Sequence, residues 1–144
     1  MIKRGVLLVF ALVLAAAPAL CAERAAVAVD LANIRSGPGT SYPILWQAER
    51  YYPVEILAVS GQWARFRDYE KDQGWIHKEL LEDIPTVVTK VNLANVRSGP
   101  GKDNPIVFRV ENGVPFRVLE KKGAWLKVRH RDGEVGWIHS NLVW

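Results

Sequence analysis

The sequence predicts an all-β protein made of two small barrels in tandem, and three observations carry that prediction. The nonapeptide LANIRSGPG, Leu31 to Gly39, returns as LANVRSGPG, Leu93 to Gly101, 62 residues later. That shift aligns the two halves without a gap from Val29 onward: Pro43-Ile44 meets Pro105-Ile106, Gly61 and Trp63 meet Gly123 and Trp125, GWIH at 74–77 meets GWIH at 136–139, and Leu80 meets Leu142. A fixed internal period marks a structural unit written twice. Within each copy, apolar and polar residues alternate with period two, and Gly/Pro turn signals separate the runs. Past the N-terminal apolar run, no stretch keeps a helical period over ten residues.

The first element expected in the chain is a leader. Lys3 and Arg4 precede the apolar run GVLLVFALVLAAA, Gly5 to Ala17, and PALCAE follows. This layout predicts a secretory signal peptide over residues 1–22, cut after Ala22, with a cut after Cys21 as the alternative. The run is short for a membrane span, which needs about 20 apolar residues. Cys21 reads as part of the signal and not as a lipidation site, because Leu20 and Pro18 stand where a lipid-anchoring box wants a small and an aliphatic residue. The exported chain, periplasmic or extracellular, then contains no cysteine, since the sequence has one. It can form no disulfide and offers no thiol nucleophile. Loss of Lys3 and Arg4 lowers the formal charge from +4 to +2.

Two units follow, at 27–82 and 90–144, joined by an expected linker at 83–89. Each opens with an alternating strand, VDLANIR or VNLANVR, that puts Ala32 and Ile34 (Ala94 and Val96) on one face. After the SGPG corner come PILWQ and PIVFR, then PVEILAV and PFRVLEK. QWARFR and AWLKVR alternate cleanly, with Ala64/Phe66 and Leu126/Val128 inward and Trp63 and Trp125 on the polar side. GWIH is a short closing strand. Strands this short bury a core only by curling into a barrel.

LANVRSGPG, then G-x-W about 24 residues on, then GWIH and a leucine, resemble the bacterial SH3 domain, and both copies carry the pattern. The resemblance implies two SH3-like barrels, each partly open and of five to seven short strands. It also implies a binding or targeting module of exported proteins, often found beside cell-wall hydrolases. The ALYDY-type strand and acidic loop of eukaryotic SH3 domains are missing, so proline-rich ligands are not expected.

RSGPG could cradle a phosphate or turn a corner. A phosphate loop leads into a helix N-terminus, whereas here Pro38 removes a backbone donor and a strand-like segment follows. The corner is therefore favoured. Arg35 and Arg97, just before it, serve either as intradomain anchors to loop carbonyls or as contacts for a ligand carboxylate. His77 and His139 are equivalent; one histidine per copy without a cysteine falls short of a metal site, so no metal or cofactor is expected. His130, unpaired, sits in the polar hairpin HRD. No G-x-S-x-G or H-E-x-x-H occurs, and the chain is expected not to be an enzyme.

Aromatic residues remain as the ligand-binding lead. Trp75 and Trp137 suit packing, while Trp63 and Trp125 are placed to wall a groove. Tyr42 and Tyr51-Tyr52 occur only in the first copy, against Asn104 and Gly113-Val114. The copies also differ in charge: 27–82 carries 6 basic and 8 acidic residues, net −2, and 89–144 carries 10 and 5, net +5. Either the halves attract one another or the second faces an anionic partner. The expected partner is peptidoglycan or an envelope protein, with no nucleic acid and no stable membrane span after the signal is removed. The expected ligand-binding residues are Arg35, Tyr42 and Trp63 in the first copy and Arg97 and Trp125 in the second. The alternative is a periplasmic adaptor between proteins, or an accessory subunit of a separate envelope enzyme.

Overall fold

The computed structural model describes residues 23–144; the expected signal peptide, 1–22, lies outside the described residues. The first unit contains β1 (Glu23–Val27), β2 (Leu31–Arg35), β3 (Ile44–Glu49), β4 (Pro53–Ser60), β5 (Trp63–Arg67), β6 (Gln73–His77), a 3-10 turn (Lys78–Leu80) and β7 (Leu81–Glu82). The second contains β8 (Thr86–Val88), β9 (Leu93–Arg97), β10 (Ile106–Glu111), β11 (Pro115–Lys122), β12 (Trp125–Arg129), β13 (Val135–His139) and a 3-10 turn (Ser140–Leu142). The sheets run β3-β2-β6-β5-β4-β1-β7 and β10-β9-β13-β12-β11-β8, antiparallel at every pairing.

Each sheet curls on itself. Val27, Ile34, Ala48, Val54, Phe66 and Ile76 come from six different strands, yet they form one buried cluster. A flat sheet could not bring its edge strands to a common core. Bulges supply the bend: Leu45 has no partner between the pairs Ile44–Arg35 and Trp46–Ile34, and Leu57 none between Ile56–Phe66 and Ala58–Arg65. Both bulges recur at Val107 and Leu119. Ala64 and Phe66, Leu126 and Val128 point inward, as their alternation predicts.

The repeat is longer in space than in sequence. β8 lies inside the expected linker, 83–89, and pairs with β11 through Val88–Pro115 and Val87–Phe116. β1 pairs with β4 in the same register, Ala26–Pro53 and Ala25–Val54. Segment 86–88 is therefore a strand of the second barrel, and segment 23–27 is its counterpart in the first. No residue from Glu23 to Ala28 is identical with its counterpart in Pro85 to Lys90, and apolar character was copied only at Ala25/Val87 and Ala26/Val88.

The two barrels touch. Val88 joins the buried cluster of the first barrel, and Trp144 packs against it. The Arg24 guanidinium lies 4.1 Å from the centre of the Trp144 ring, a cation–π geometry. Tyr69 donates its hydroxyl to Asn112 Oδ1 at 2.5 Å. Arg131 and Glu49, 3.6 Å apart, form the one ion pair between the barrels among the described residues. Most of the second barrel's excess positive charge is thus left facing solvent.

The glycine of GWIH has a steric reason. A Cβ on Gly74 would lie 2.4 Å from Ile34 Cγ2, and one on Gly136 2.5 Å from Val96 Cγ1. Both neighbours are fully buried and cannot retreat. Gly74→Ala is expected to cost about 1–3 kcal/mol by overpacking, read as a lowered denaturation midpoint. Gly61, whose Cβ would meet nothing, is the control: Gly61→Ala should cost only the strain of its positive φ, about 1 kcal/mol.

Candidate functional site

The SGPG corner leads into strand β3, with no helix for a phosphate to cap. It is braced from within. Arg35 Nη1 donates to the carbonyls of Thr40 at 3.1 Å and Tyr42 at 3.0 Å. Arg97 Nη1 donates likewise to the Asn104 carbonyl at 3.0 Å. The Tyr42 ring covers the face of Gly37, where a Cβ would fall 2.3 Å from a ring carbon. In the second barrel the Asn104 side chain covers Gly99. Tyr42 therefore packs on the corner and is 44 % exposed; it does not line the groove described next.

Trp63 and His77 are register partners on β5 and β6. Directly opposed residues of an antiparallel pair put their side chains on one face, and these two rings meet edge to face at 5.2 Å. They form one wall of a groove of about 290 Å³, with Asn33 and Arg35 from β2, Thr40 from the corner, and Glu79 and Leu80 from the 3-10 turn. His77 Nδ1 accepts from the Glu79 backbone N–H at 3.2 Å. That bond fixes the neutral tautomer with hydrogen on Nε2, a donor for a ligand. Asn33 Oδ1 accepts from Gln47 Nε2 at 2.9 Å, leaving the Asn33 amide NH₂ for other use.

The second barrel repeats the construction. Trp125 and His139 pair across β12 and β13, with rings 5.2 Å apart. His139 Nδ1 accepts from Asn141 N–H at 3.1 Å, and Asn95 Oδ1 accepts from Arg109 Nε at 3.0 Å. A groove of about 300 Å³ is lined by Asn95, Arg97, Lys102, Trp125, His139, Asn141 and Leu142. Of the sequence-predicted site residues, the structure brings Arg35 to Trp63 and Arg97 to Trp125, and it leaves Tyr42 apart. Both tryptophans are half-buried. Trp75 is half-buried and Trp137 is 7 % exposed.

Sequence reasoning passed over the histidine and asparagine of each groove. The signal was available: a hairpin turning at DYEKDQ puts His77 opposite Trp63. Tyr51-Tyr52, the other aromatic difference, is structural. Tyr52 is buried and hydrogen-bonded to Asp68. Tyr51 occupies a positive-φ turn position at φ 75°, where the second barrel uses Gly113. Among the described residues, no group of three or more His, Cys, Asp or Glu could hold a metal ion, and no helix is long and apolar enough to cross a membrane.

Residues 28–83 and 90–144 each match the family model described as bacterial SH3 domain. The chain belongs to the bacterial SH3 domain family. Its curated relatives include the protein named "Putative N-acetylmuramoyl-L-alanine amidase YrvJ" of Bacillus subtilis, 28% identical over 130 residues, which make up 83% of this chain and 25% of that protein. The "Probable cell wall amidase LytH" of Staphylococcus epidermidis is 34% identical over 67 residues, 44% of this chain and 23% of that protein. These bacterial SH3 domains thus span about a quarter of the length of the relatives they match. Among solved structures, an NlpC/P60 family protein from Bacillus cereus aligns with 85% of this chain and 56% of its own at a TM-score of 0.40 and 13% identity.

Proposed function

We propose that this chain is a non-catalytic binding module of the cell envelope, periplasmic or extracellular, and that it holds peptidoglycan or a wall-associated partner in its two grooves. The carrying observation is the duplicated groove. An arginine, an asparagine amide, a tautomer-fixed histidine and a half-buried tryptophan converge on one concavity, and the whole set occurs in both barrels. A flat aromatic wall with a few oriented donors suits an extended polar ligand such as a glycan or short peptide. The kinship with proteins named as cell wall amidases supports the envelope as the setting. Because the match covers only the bacterial SH3 part of those proteins, an accessory role beside a separate envelope enzyme is the second reading.

Purified peptidoglycan sacculi, mixed with the protein at low salt and pelleted, test the proposal. The protein should pellet, and Trp63→Ala/Trp125→Ala should weaken retention about tenfold, as expected for two aromatic anchors. A wild-type protein that stays in the supernatant defeats wall binding. A double variant that pellets like wild type removes the grooves from the interaction.

A further inference from the structure

We infer that the two grooves select different ligands: the second takes a peptide ending in a free carboxylate, while the first takes one that presents an amine together with a carboxylate. The inference rests on the reading of the grooves as the binding surfaces. Five of the seven lining positions are identical in the two grooves: Asn33/Asn95, Arg35/Arg97, Trp63/Trp125, His77/His139 and Leu80/Leu142. The other two differ, and both differences move charge the same way. Thr40 becomes Lys102, which adds a cation; Glu79 becomes Asn141, which deletes an anion. With neutral histidines the first groove is balanced, Arg35 against Glu79, and the second holds Arg97 and Lys102 with no acid on its lining. Asp103, the nearest acid in sequence, does not line the groove and makes no ion pair with Lys102 among the described residues.

Geometry selects carboxylate among anions. Arg97 spends Nη1 on the Asn104 carbonyl, so its free edge is the Nε/Nη2 fork. That pair of parallel N–H donors matches the two oxygens of a planar carboxylate. Lys102 adds a mobile point charge, and the His139 Nε2–H and Asn95 amide remain as donors for peptide carbonyls. In the first groove Glu79 would repel such a ligand unless it also carried an ammonium group.

The test uses the ¹⁵N-labelled protein and the indole N–H signals of Trp63 and Trp125, assigned with Trp63→Phe and Trp125→Phe. N-acetyl-trialanine with a free C-terminus should shift Trp125 and bind there roughly five- to tenfold tighter than at Trp63, the effect of two changed surface charges. The preference should narrow as salt is raised. Unblocked trialanine should recover binding at Trp63, and the C-terminal amide of the acetylated peptide should lose its preference for Trp125. The double change Lys102→Thr/Asn141→Glu should reduce the second groove to the behaviour of the first, and Thr40→Lys/Glu79→Asn should confer the preference on the first. Equal response of both indoles to the acetylated acid, or a preference that does not follow the exchanged residues, overturns the inference while leaving the grooves as binding surfaces. Inorganic phosphate shifting Trp125 at the same concentration overturns the carboxylate assignment. If neither indole responds to these peptides or to solubilised wall fragments, the groove reading itself fails.

Discussion

Phe66→Ala should unfold the first barrel, or nearly so, and lower the stability of the second. Phe66 is fully buried, and its ring meets Trp46 edge to face at 6.4 Å. Truncating a buried phenylalanine costs about 3–5 kcal/mol. A unit of this size holds roughly 3–8 kcal/mol in total at the usual value per residue. The damage should spread because Val88, from β8 of the second sheet, is part of the first barrel's buried cluster, with Trp144 packed beside it. Denaturant unfolding followed by tryptophan fluorescence checks this. The wild type should unfold in one transition, and Phe66→Ala should lower the whole curve. Two separated transitions, with the upper one unchanged, would show that the contacts between barrels carry no stability.

The same position exposes how the core was duplicated. The first barrel has Val54 and Phe66; at the equivalent places the second has Phe116 and Val128, and all four are fully buried. At this pair of positions each core places one phenylalanine and one valine, in opposite order. Val54→Phe alone should overpack by about 1–3 kcal/mol, and Phe66→Val alone should leave a cavity. Combined, they copy the second barrel's arrangement and conserve volume. The double variant should be at least about 1 kcal/mol more stable than the two single costs together imply, a coupling expected of residues that share a space.

This exchange also explains what could be read from the sequence and what could not. The barrel was legible because its fixed points are backbone demands: Gly74 against Ile34, the SGPG corner, the alternating LANIR strand. Such demands admit few residue types, so they survived copying. β8 was not legible, since a strand that needs only small or apolar residues at Ala26 or Val88 leaves no identity behind. For the grooves, the alternation placed Trp63 and Trp125 on the outer face, and Arg35 and Arg97 precede the corner that closes the same concavity. Tyr42 was misleading for a physical reason. It was singled out because only the first copy has it, yet its ring covers the bare face of Gly37, the place that the Asn104 side chain takes over Gly99 in the second barrel. Glu79 and Asn141 went unnoticed because a single-residue charge change on a 3-10 turn has no pattern until the groove exists.

Asp68→Ala should cost about 2–4 kcal/mol, and Asp68→Asn should do far less while changing how stability depends on pH. Asp68 is 4 % exposed and holds three donors. Its Oδ1 accepts from the backbone N–H groups of Glu70 and Asp72, each at 3.0 Å, and its Oδ2 accepts from the Tyr52 hydroxyl at 3.0 Å. Alanine leaves the buried Tyr52 hydroxyl without its acceptor, which costs about 1–3 kcal/mol, and takes the acceptor from two part-buried turn N–H groups. Asparagine keeps an acceptor for the two backbone groups and turns an NH₂ toward the Tyr52 oxygen. Burial pushes the Asp68 carboxyl above its ordinary pKa, and the bonds from Tyr52, Asp72 and Glu70 only partly offset this. Burial and the nearby Asp68 charge push the Tyr52 phenol up as well, so it remains a donor. The sign follows from proton linkage: the folded state keeps a proton on Asp68 at a pH where the unfolded chain has released it. The stability that Asp68 contributes is therefore full below the unfolded value, about pH 4, and declines as pH rises through the folded pKa. Unfolding free energies of wild type and Asp68→Asn, measured from about pH 4 to pH 7, isolate that term. The wild-type advantage should shrink as pH rises. If it grows instead, the hydrogen bonds outweigh desolvation, and Asp68 is held as a charge that stabilises the hairpin.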